Sequence, residues 1–372
     1  MASTPLPPTH RALVLKSTSE APEIQTLPTL QPSPGSVVVK VLVANVVSYM
    51  RGAYNGQRNY PFPTPLVIGT GAIGRIAAIG PDTTLLEPGQ LVLIDIAIRA
   101  RDDPSTAILS GILQGVTPGS AKLMSGEWRD STYAEYVKMP LENCRILDET
   151  RLLGSVYTGG LGYSIDDLSL LSRLIIPYGG LRDIDLRAGE TVVVAPATGS
   201  FGGAAVMVAL ALGAKVIAMG RNVEALKKIA AISDHVKIVP ITGDQQAETA
   251  ALLKHGPIDA YFDISPPEAA KSTHIKAALY ALKVGGRVSL MGGITEDVPI
   301  PIGLVTQKNI LLKGTWMYTR EAVGEMIKMV ELGVLGLGHS KISGRFKMEE
   351  WDEAFECAEK NAGFGEITLL AP

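Results

Sequence analysis

Three small residues spaced as Ala197-x-Gly199-x-x-Gly202 sit in the stretch TVVVAPATGSFGGAAVMVALALGAKVIAMGRN, Thr191 to Asn222. The chemistry this spacing serves is the cradling of a pyrophosphate. Alanine stands in for the glycine of a tight turn, Gly199 lets the backbone approach an anion, and Gly202 lets a helix pack close to the preceding strand. The N–H groups opening that helix, at the positive end of its dipole, complete the cradle. Ala197, Thr198, Gly199, Ser200, Phe201 and Gly202 are therefore candidate cofactor-binding residues, against the plainer reading that the glycines serve helix–strand packing alone. An NAD site has an acidic residue about 20 positions past the first glycine. This chain has Gly220, Arg221 and Asn222 there. A guanidinium pairing with a ribose 2′-phosphate contributes about 1.5–3 kcal/mol. NADPH/NADP is thus expected over NADH, with Arg221 as main reader and Lys227 or Lys228 as lesser ones.

The elements that must position this turn are legible around it. Thr191 to Ala195 reads as a buried parallel strand, about Ser200 to Leu212 as a helix, and Lys215 to Met219 as the next strand. Helix 223–231, strand Val236–Val239, helix Gln245–Leu253, strand Ile258–Ile264, helix 267–282, strand Gly286–Met291 and a last strand Ile310–Lys313 follow. Such alternation predicts a doubly wound parallel sheet. Residues 11–150 read instead as short strands, Ala12–Leu15, Val37–Val43, Leu66–Ile79, Leu91–Ile98 and Thr132–Met139, separated by proline and glycine turns. Between the last two, 99–130 is a polar excursion without a clear period. A helix entering at Ser164 is expected to break at Pro177. Amphipathic helices are expected at 321–332 and 349–360.

The chain has 372 residues, enough for two domains with proper cores, and a formal net charge of −3. That balance points to a small-molecule substrate, not nucleic acid or an anionic membrane. Cys144 and Cys357 are the only cysteines, which excludes a disulfide framework and fits a reducing compartment. The proline-rich MASTPLPPTHR lacks the apolar core of a secretory signal, so a cytoplasmic location is expected.

Separated pieces, PGSVVVKVLVANVVSYMRG, PLVIGTGAIGRIAAIG, EPGQLVLID, STYAEYVKMPLENC, PYGGL, the glycine unit, VGGRVSLMGG and LLKGTWMYTR, together resemble the medium-chain dehydrogenase/reductase family from about residue 11 to 370. The resemblance implies an α/β protein with a GroES-like β-rich catalytic domain and a Rossmann domain inserted in it. The expected division is 1–177 catalytic, 178–318 NADP-binding and 319–372 returning to the catalytic domain. Zinc-dependent members carry Cys, His and Glu ligands where this chain has Val47, Ser48, Thr70 and Gly71. A catalytic zinc needs about three N, S or carboxylate ligands on one face, and the histidines, His10, His235, His255, His274 and His339, are scattered. No metal is expected. The segment VVSYMRG is similar to the DPYMRG segment of zinc-free enone reductases, differing at Val47 and Ser48; likeness to quinone oxidoreductases is of equal strength.

Hydride addition to an enone puts charge on the carbonyl oxygen as an enolate, which a neutral hydroxyl or backbone N–H stabilises; a plain ketone becomes an alkoxide and needs a well-placed acid. With no evident metal or acid, reduction of an activated double bond is favoured. Tyr49, Ser48, Tyr54 and Tyr178 are the candidate catalytic residues, Tyr49 first because the family places this segment beneath the nicotinamide. Arg51, Trp316 and Tyr318 are candidates for the substrate pocket, Tyr318 for a hydroxyl donor too. By resemblance, Met291, Gly292, Thr315 and Met317 hold the carboxamide, and a homodimer forms through the edge strand Ile310–Gly314. A zinc-free carbonyl reductase and an NADP-binding cyclase or isomerase are the alternatives.

Overall fold

The structure is a computed structural model and describes residues 5–372. Residues 1–4, the start of the proline-rich arm, lie outside the described residues. In chain order come β1 (Thr9–Leu15), β2 (Glu23–Pro28), β3 (Ser36–Val46), α1 (Met50–Tyr54), β4 (Leu66–Val67), β5 (Ala72–Ile79), β6 (Leu91–Ile94), β7 (Ala97–Arg99) and β8 (Ala107–Leu109). Then follow α2 (Pro118–Ser125), β9 (Tyr136–Pro140), β10 (Cys144–Ile146), α3 (Glu149–Leu153), α4 (Ile165–Leu168) and α5 (Leu171–Asp183). Alternation begins at β11 (Thr191–Ala195), with α6 (Ser200–Ala211), β12 (Lys215–Gly220), α7 (Val223–Ala230), β13 (Val236–Pro240), α8 (Gln245–Leu253), β14 (Ile258–Asp263) and α9 (His274–Ala281). The chain closes with β15 (Leu282–Leu290), α10 (Ile302–Gln307), β16 (Leu311–Gly314), α11 (Arg320–Glu331), β17 (Lys341–Lys347), α12 (Trp351–Lys360) and β18 (Glu366–Ala371).

Contacts divide the chain into two compact units. The first takes residues 5–172, Leu337–Ala362 and Glu366–Pro372. Its largest sheet runs β10-β6-β5-β3-β18-β17, with β9 also on β3. β3 sits centrally and is mostly buried, through Val37, Val38, Val39, Val41 and Val43, with Lys40 its one exposed residue. β18 pairs antiparallel with β3 and brings the chain's end back to its first half. The GroES-like β-rich architecture expected of the first part is what forms.

The second unit takes Arg173–Gly336 and Gly363–Gly365. Its sheet runs β13-β12-β11-β14-β15-β16, every pair parallel, with the order reversing between β11 and β14. This is the doubly wound Rossmann arrangement, and ligands in such sheets bind at the carboxyl ends of the strands beside the reversal. α6 is apolar all round, with Gly202 to Ala209 buried, as a helix covered on every face must be.

Several expectations are corrected. Pro177 does not break a helix but lies inside α5, where the buried neighbours Leu174, Ile175, Tyr178 and Leu181 hold the turn against the missing N–H. The stretch Leu66–Ile79 is two strands, because Ile68 to Gly71 leaves the ladder to bond elsewhere: Tyr133 N–H reaches the Ile68 carbonyl and Thr70 N–H the Thr132 hydroxyl. The 99–130 excursion holds β8 and α2, the latter opened by a capping box on Thr117 and Ser120. The helix expected at 267–282 shrinks to α9. The units part after Ser172 and Gly336 instead of 177 and 318. α11 belongs to the second unit, since its Glu325 accepts from Tyr178 and Arg182 of α5. Among the described residues no helix is long and apolar enough to cross a membrane.

Candidate functional site

In the second unit the glycine turn is built from the buried strand upward. Val192 to Ala195 are fully buried, and the Ala197 N–H donates to the Met219 carbonyl at 2.7 Å, tying the turn to β12. A Cβ on Gly202 would meet the Pro196 carbonyl oxygen at 2.0 Å, so only glycine lets α6 start this close to the turn. Gly199 is the N-cap of α6 and has no side chain to occupy the opening amides. Gly220 lies against Thr198, whose Cγ2 would be 2.7 Å from an added Cβ. Asn222 caps α7, its side chain accepting from the Ala225 N–H at 3.0 Å. Arg221 is exposed and has no carboxylate partner among the described residues, whereas Lys227 pairs with Glu224 at 2.8 Å.

Two parts of this end were not foreseen. Arg173 is 5% exposed and donates from Nη1 to the Ser200 hydroxyl at 2.6 Å, which sets a buried guanidinium at the start of α6. The segment Gly363–Gly365 folds back onto the same place: Gly363 bridges Gly199, and the Phe364 ring covers Gly203, where a Cβ would meet it at 2.4 Å. An arginine inside the apolar run LLSRLII was the available sequence signal for the first; nothing local marks the second.

The carboxamide candidates occupy the carboxyl ends of β15 and β16. Met291 N–H donates to the Asp263 carbonyl at 2.9 Å, and Gly292 is exposed and packs so closely on Asp263 and Ser265 that a Cβ would lie 2.7 Å from each. Thr315 is already engaged, its N–H to the Leu290 carbonyl and its hydroxyl to Asp183 at 2.6 Å. Met317 has φ +63, a left-handed backbone that methionine rarely adopts. Trp316 is 47% exposed, and Tyr318 is buried against Gly179. Tyr178 donates to Glu325 at 3.1 Å, and burial together with that carboxyl pushes its phenol up to about 12. The Arg182 guanidinium in turn holds Glu325 below its ordinary range. Tyr178 therefore ties α5 to α11 instead of offering a proton.

In the first unit, Ser48 and Tyr49 form a half-buried turn leading into α1. The Arg58 guanidinium lies over the Tyr49 ring, 4.5 Å from its centroid. Tyr54 is buried beneath them; its hydroxyl donates to the Gly111 carbonyl at 3.0 Å and accepts from the Gly69 N–H at 3.1 Å. Burial pushes that phenol well up, and the ring stacks on Phe355, so Tyr54 is a core residue and not an acid. Arg51 binds Asp352 at 2.5 Å and Glu359 at 3.3 Å, so it joins α1 to α12 and is no longer available for a substrate anion. Val47 is buried, and the Thr70 hydroxyl donates to the Asn45 carbonyl at 2.5 Å. A Cβ on Gly71 would meet the Ser172 hydroxyl at 2.5 Å. Among the described residues no three His, Cys, Asp or Glu side chains converge as metal ligands.

Comparison with known proteins agrees with this architecture. Residues 33–149 match the alcohol dehydrogenase GroES-like domain and 201–332 the domain described as zinc-binding dehydrogenase. An acryloyl-coenzyme A reductase of Metallosphaera sedula is 25% identical over 368 residues, covering 96% of this chain and 99% of the relative. An Escherichia coli CFT073 structure described as a short chain alcohol dehydrogenase with NADH superposes with a TM-score of 0.79 at 18% identity, covering 98% of this chain and all of the other. A zinc-binding dehydrogenase fold from Sinorhizobium meliloti 1021 bound to NADP gives 0.77 at 18% identity over 98% of this chain and 99% of its own. With both family domains matched in order and relatives aligned along their full length, the chain belongs to the medium-chain dehydrogenase/reductase family.

Proposed function

We propose that this chain is a zinc-independent, NADPH-dependent reductase that adds hydride to an activated double bond, an enone or a quinone, of a small organic substrate. The observation that carries the cofactor reading is the start of α6, where the N-cap Gly199 has no side chain and the buried Arg173 guanidinium bonds the next residue, Ser200. A cation at the positive end of a helix dipole is unfavourable by itself, and a pyrophosphate set against Arg173 and the opening amides turns both into attractive partners. When bound, the nicotinamide supplies the hydride.

Arg221 supports the choice of NADPH, being exposed at the end of β12 with no carboxylate to compete for it. Replacing Arg221 by Ala is expected to lower the NADPH/NADH ratio of kcat/KM by roughly tenfold to a hundredfold. An unchanged ratio would remove Arg221 from the site.

The family's zinc does not fit the donor set at the matching positions. Val47 is aliphatic, Thr70 is bonded to Asn45, and Gly71 has no side chain, so a tetrahedral site with about three N, S or carboxylate ligands has nothing to form from. Charge on the substrate oxygen is then left to neutral donors, which suits an enolate better than an alkoxide. We assign the donor role to the hydroxyls of Tyr49 and Ser48, half-buried in the turn that leads into α1. The relative named acryloyl-coenzyme A reductase supports the same class, an acryloyl group being a double bond conjugated to a carbonyl.

Steady-state oxidation of NADPH with an enone and with its saturated ketone, before and after dialysis against a chelator, tests the reading. Turnover of the enone alone, unchanged by the chelator, is expected. Turnover of the ketone alone would make the chain a carbonyl reductase, and tight NADPH binding without transfer to any acceptor a non-redox enzyme. A second copy is proposed to pair along the edge strand β16, whose Leu311 is 49% exposed.

A further inference from the structure

The stretch between Glu23 and Asp82 contains no acidic residue but holds Lys40, Arg51, Arg58 and Arg75. Arg51 and Arg75 each take carboxylates from far along the chain, Asp352 with Glu359 and Glu149. Arg58 takes none among the described residues. Its guanidinium lies 4.5 Å from the Tyr49 ring centroid and 6.0 Å from that of Tyr60, in the angle between two rings inclined at 72°. The Tyr60 hydroxyl at 3.4 Å is its side-chain acceptor.

The loop that carries it is fixed in advance. Asn55 N–H bonds the Arg51 carbonyl, Arg58 N–H the Gly52 carbonyl and Asn59 N–H the Gly56 carbonyl, each at 3.0 Å, while Gly56 and Asn59 take the left-handed turns at φ +81 and +52. Arg58 and both rings are half-buried. A guanidinium held over a ring face keeps its in-plane N–H fork for an acceptor and has less freedom to lose on binding one. Elsewhere in this stretch the fold neutralises its arginines; here it orients one and leaves the charge open, beside the phenol assigned as proton donor.

We infer that Arg58, held by Tyr49 and Tyr60, is a subsite for an oxyanion on the substrate, a carboxylate or phosphate remote from the double bond that is reduced. This rests on the reading of Tyr49 as part of the acceptor site. Arg51, the sequence's first choice for such a role, is replaced by the arginine seven positions on.

Two matched pairs of acceptors test the subsite: 6-oxohept-4-enoate against its methyl ester, and crotonyl-phosphopantetheine against crotonyl-pantetheine. In the unmodified protein the charged member of at least one pair is expected to show a KM lower by roughly tenfold or more, and the pair that does so identifies carboxylate or phosphate as the source. Arg58→Met, which keeps the aliphatic stem on the rings, is expected to erase that difference while leaving the neutral member's KM and NADPH binding within about twofold. Arg58→Lys, with the charge but not the fork, is expected to fall between. Absence of a preference in the unmodified protein, or an equal rise for both members in Arg58→Met, overturns the inference. Calorimetric binding of the same pairs to the NADP-bound protein reads the preference without turnover. A charge preference lost in Arg58→Met when no acceptor is reduced would uphold the subsite and sink the reductase reading alone.

Discussion

Gly202→Ala is expected to destabilise the nucleotide-binding unit by about 3 kcal/mol or more and to cut activity with NADPH at least about a hundredfold. The new methyl would sit 2.0 Å from the Pro196 carbonyl oxygen and 2.9 Å from the Ala197 Cα, both backbone atoms that no rotamer change can move. Either α6 shifts along its axis or the turn opens and breaks the 2.7 Å bond from the Ala197 N–H to the Met219 carbonyl. Each displaces the amides that face the phosphates. Gly324 provides the contrast, because it lies within α11 with nothing inside 4 Å of an added Cβ. Gly324→Ala is expected to raise stability by about 0.4–1 kcal/mol through the unfolded chain. Thermal unfolding of both variants and fluorescence titration with NADPH read the two signs; a Gly202→Ala protein with unchanged melting and affinity would show that the turn tolerates the collision.

What was legible in the sequence is what local pattern dictates. The valine run of β11, the small residues of the turn and the apolar α6 announce themselves within about two dozen positions, and β11 and α8 fall where their residues placed them. The roles of single side chains were not legible, because their partners are remote. Arg51 reads as an available cation until Asp352, 301 positions later, closes on it. Tyr178 reads as a proton donor until Glu325, 147 positions on, accepts from it. Tyr54 is indistinguishable in sequence from Tyr49, yet one is locked under Gly69 and Gly111 and the other half-exposed beneath an arginine. Pro177 shows the same limit for backbone: its local preference for a break yields to the buried side chains on either side.

Asp263→Ala is the substitution expected to cost most without touching the glycine turn, about 3–5 kcal/mol. Asp263 ends β14 at 3% exposure, and its side chain accepts from the Tyr261 hydroxyl at 2.5 Å, the Ser265 hydroxyl at 2.8 Å and the Ser265 N–H at 3.2 Å. His274, 1% exposed, lies 3.5 Å away through Nε2 and is held by Ser265 at 2.9 Å and Ser272 at 2.6 Å. Burial, then the neighbouring carboxyl, drives the Tyr261 phenol upward, so it serves as a fixed donor. Alanine takes away the acceptor of the buried Tyr261 hydroxyl and leaves the Ser265 hydroxyl only His274, and it loosens the Ser265 loop on which Gly292 rests. For a unit of this size each kcal/mol lowers the melting temperature by about 2–4 °C, so a fall of about 10 °C is expected, with NADPH binding weakened at temperatures where the fold survives. Asp263→Asn keeps one oxygen acceptor and is expected to fall by less than half as much, since the tyrosine can still be satisfied. If the alanine variant melted within about 2 °C of the unmodified protein, the network would be ornament on a sheet held by packing alone, and the support of the carboxamide end would have to be sought in the backbone bonds of β15.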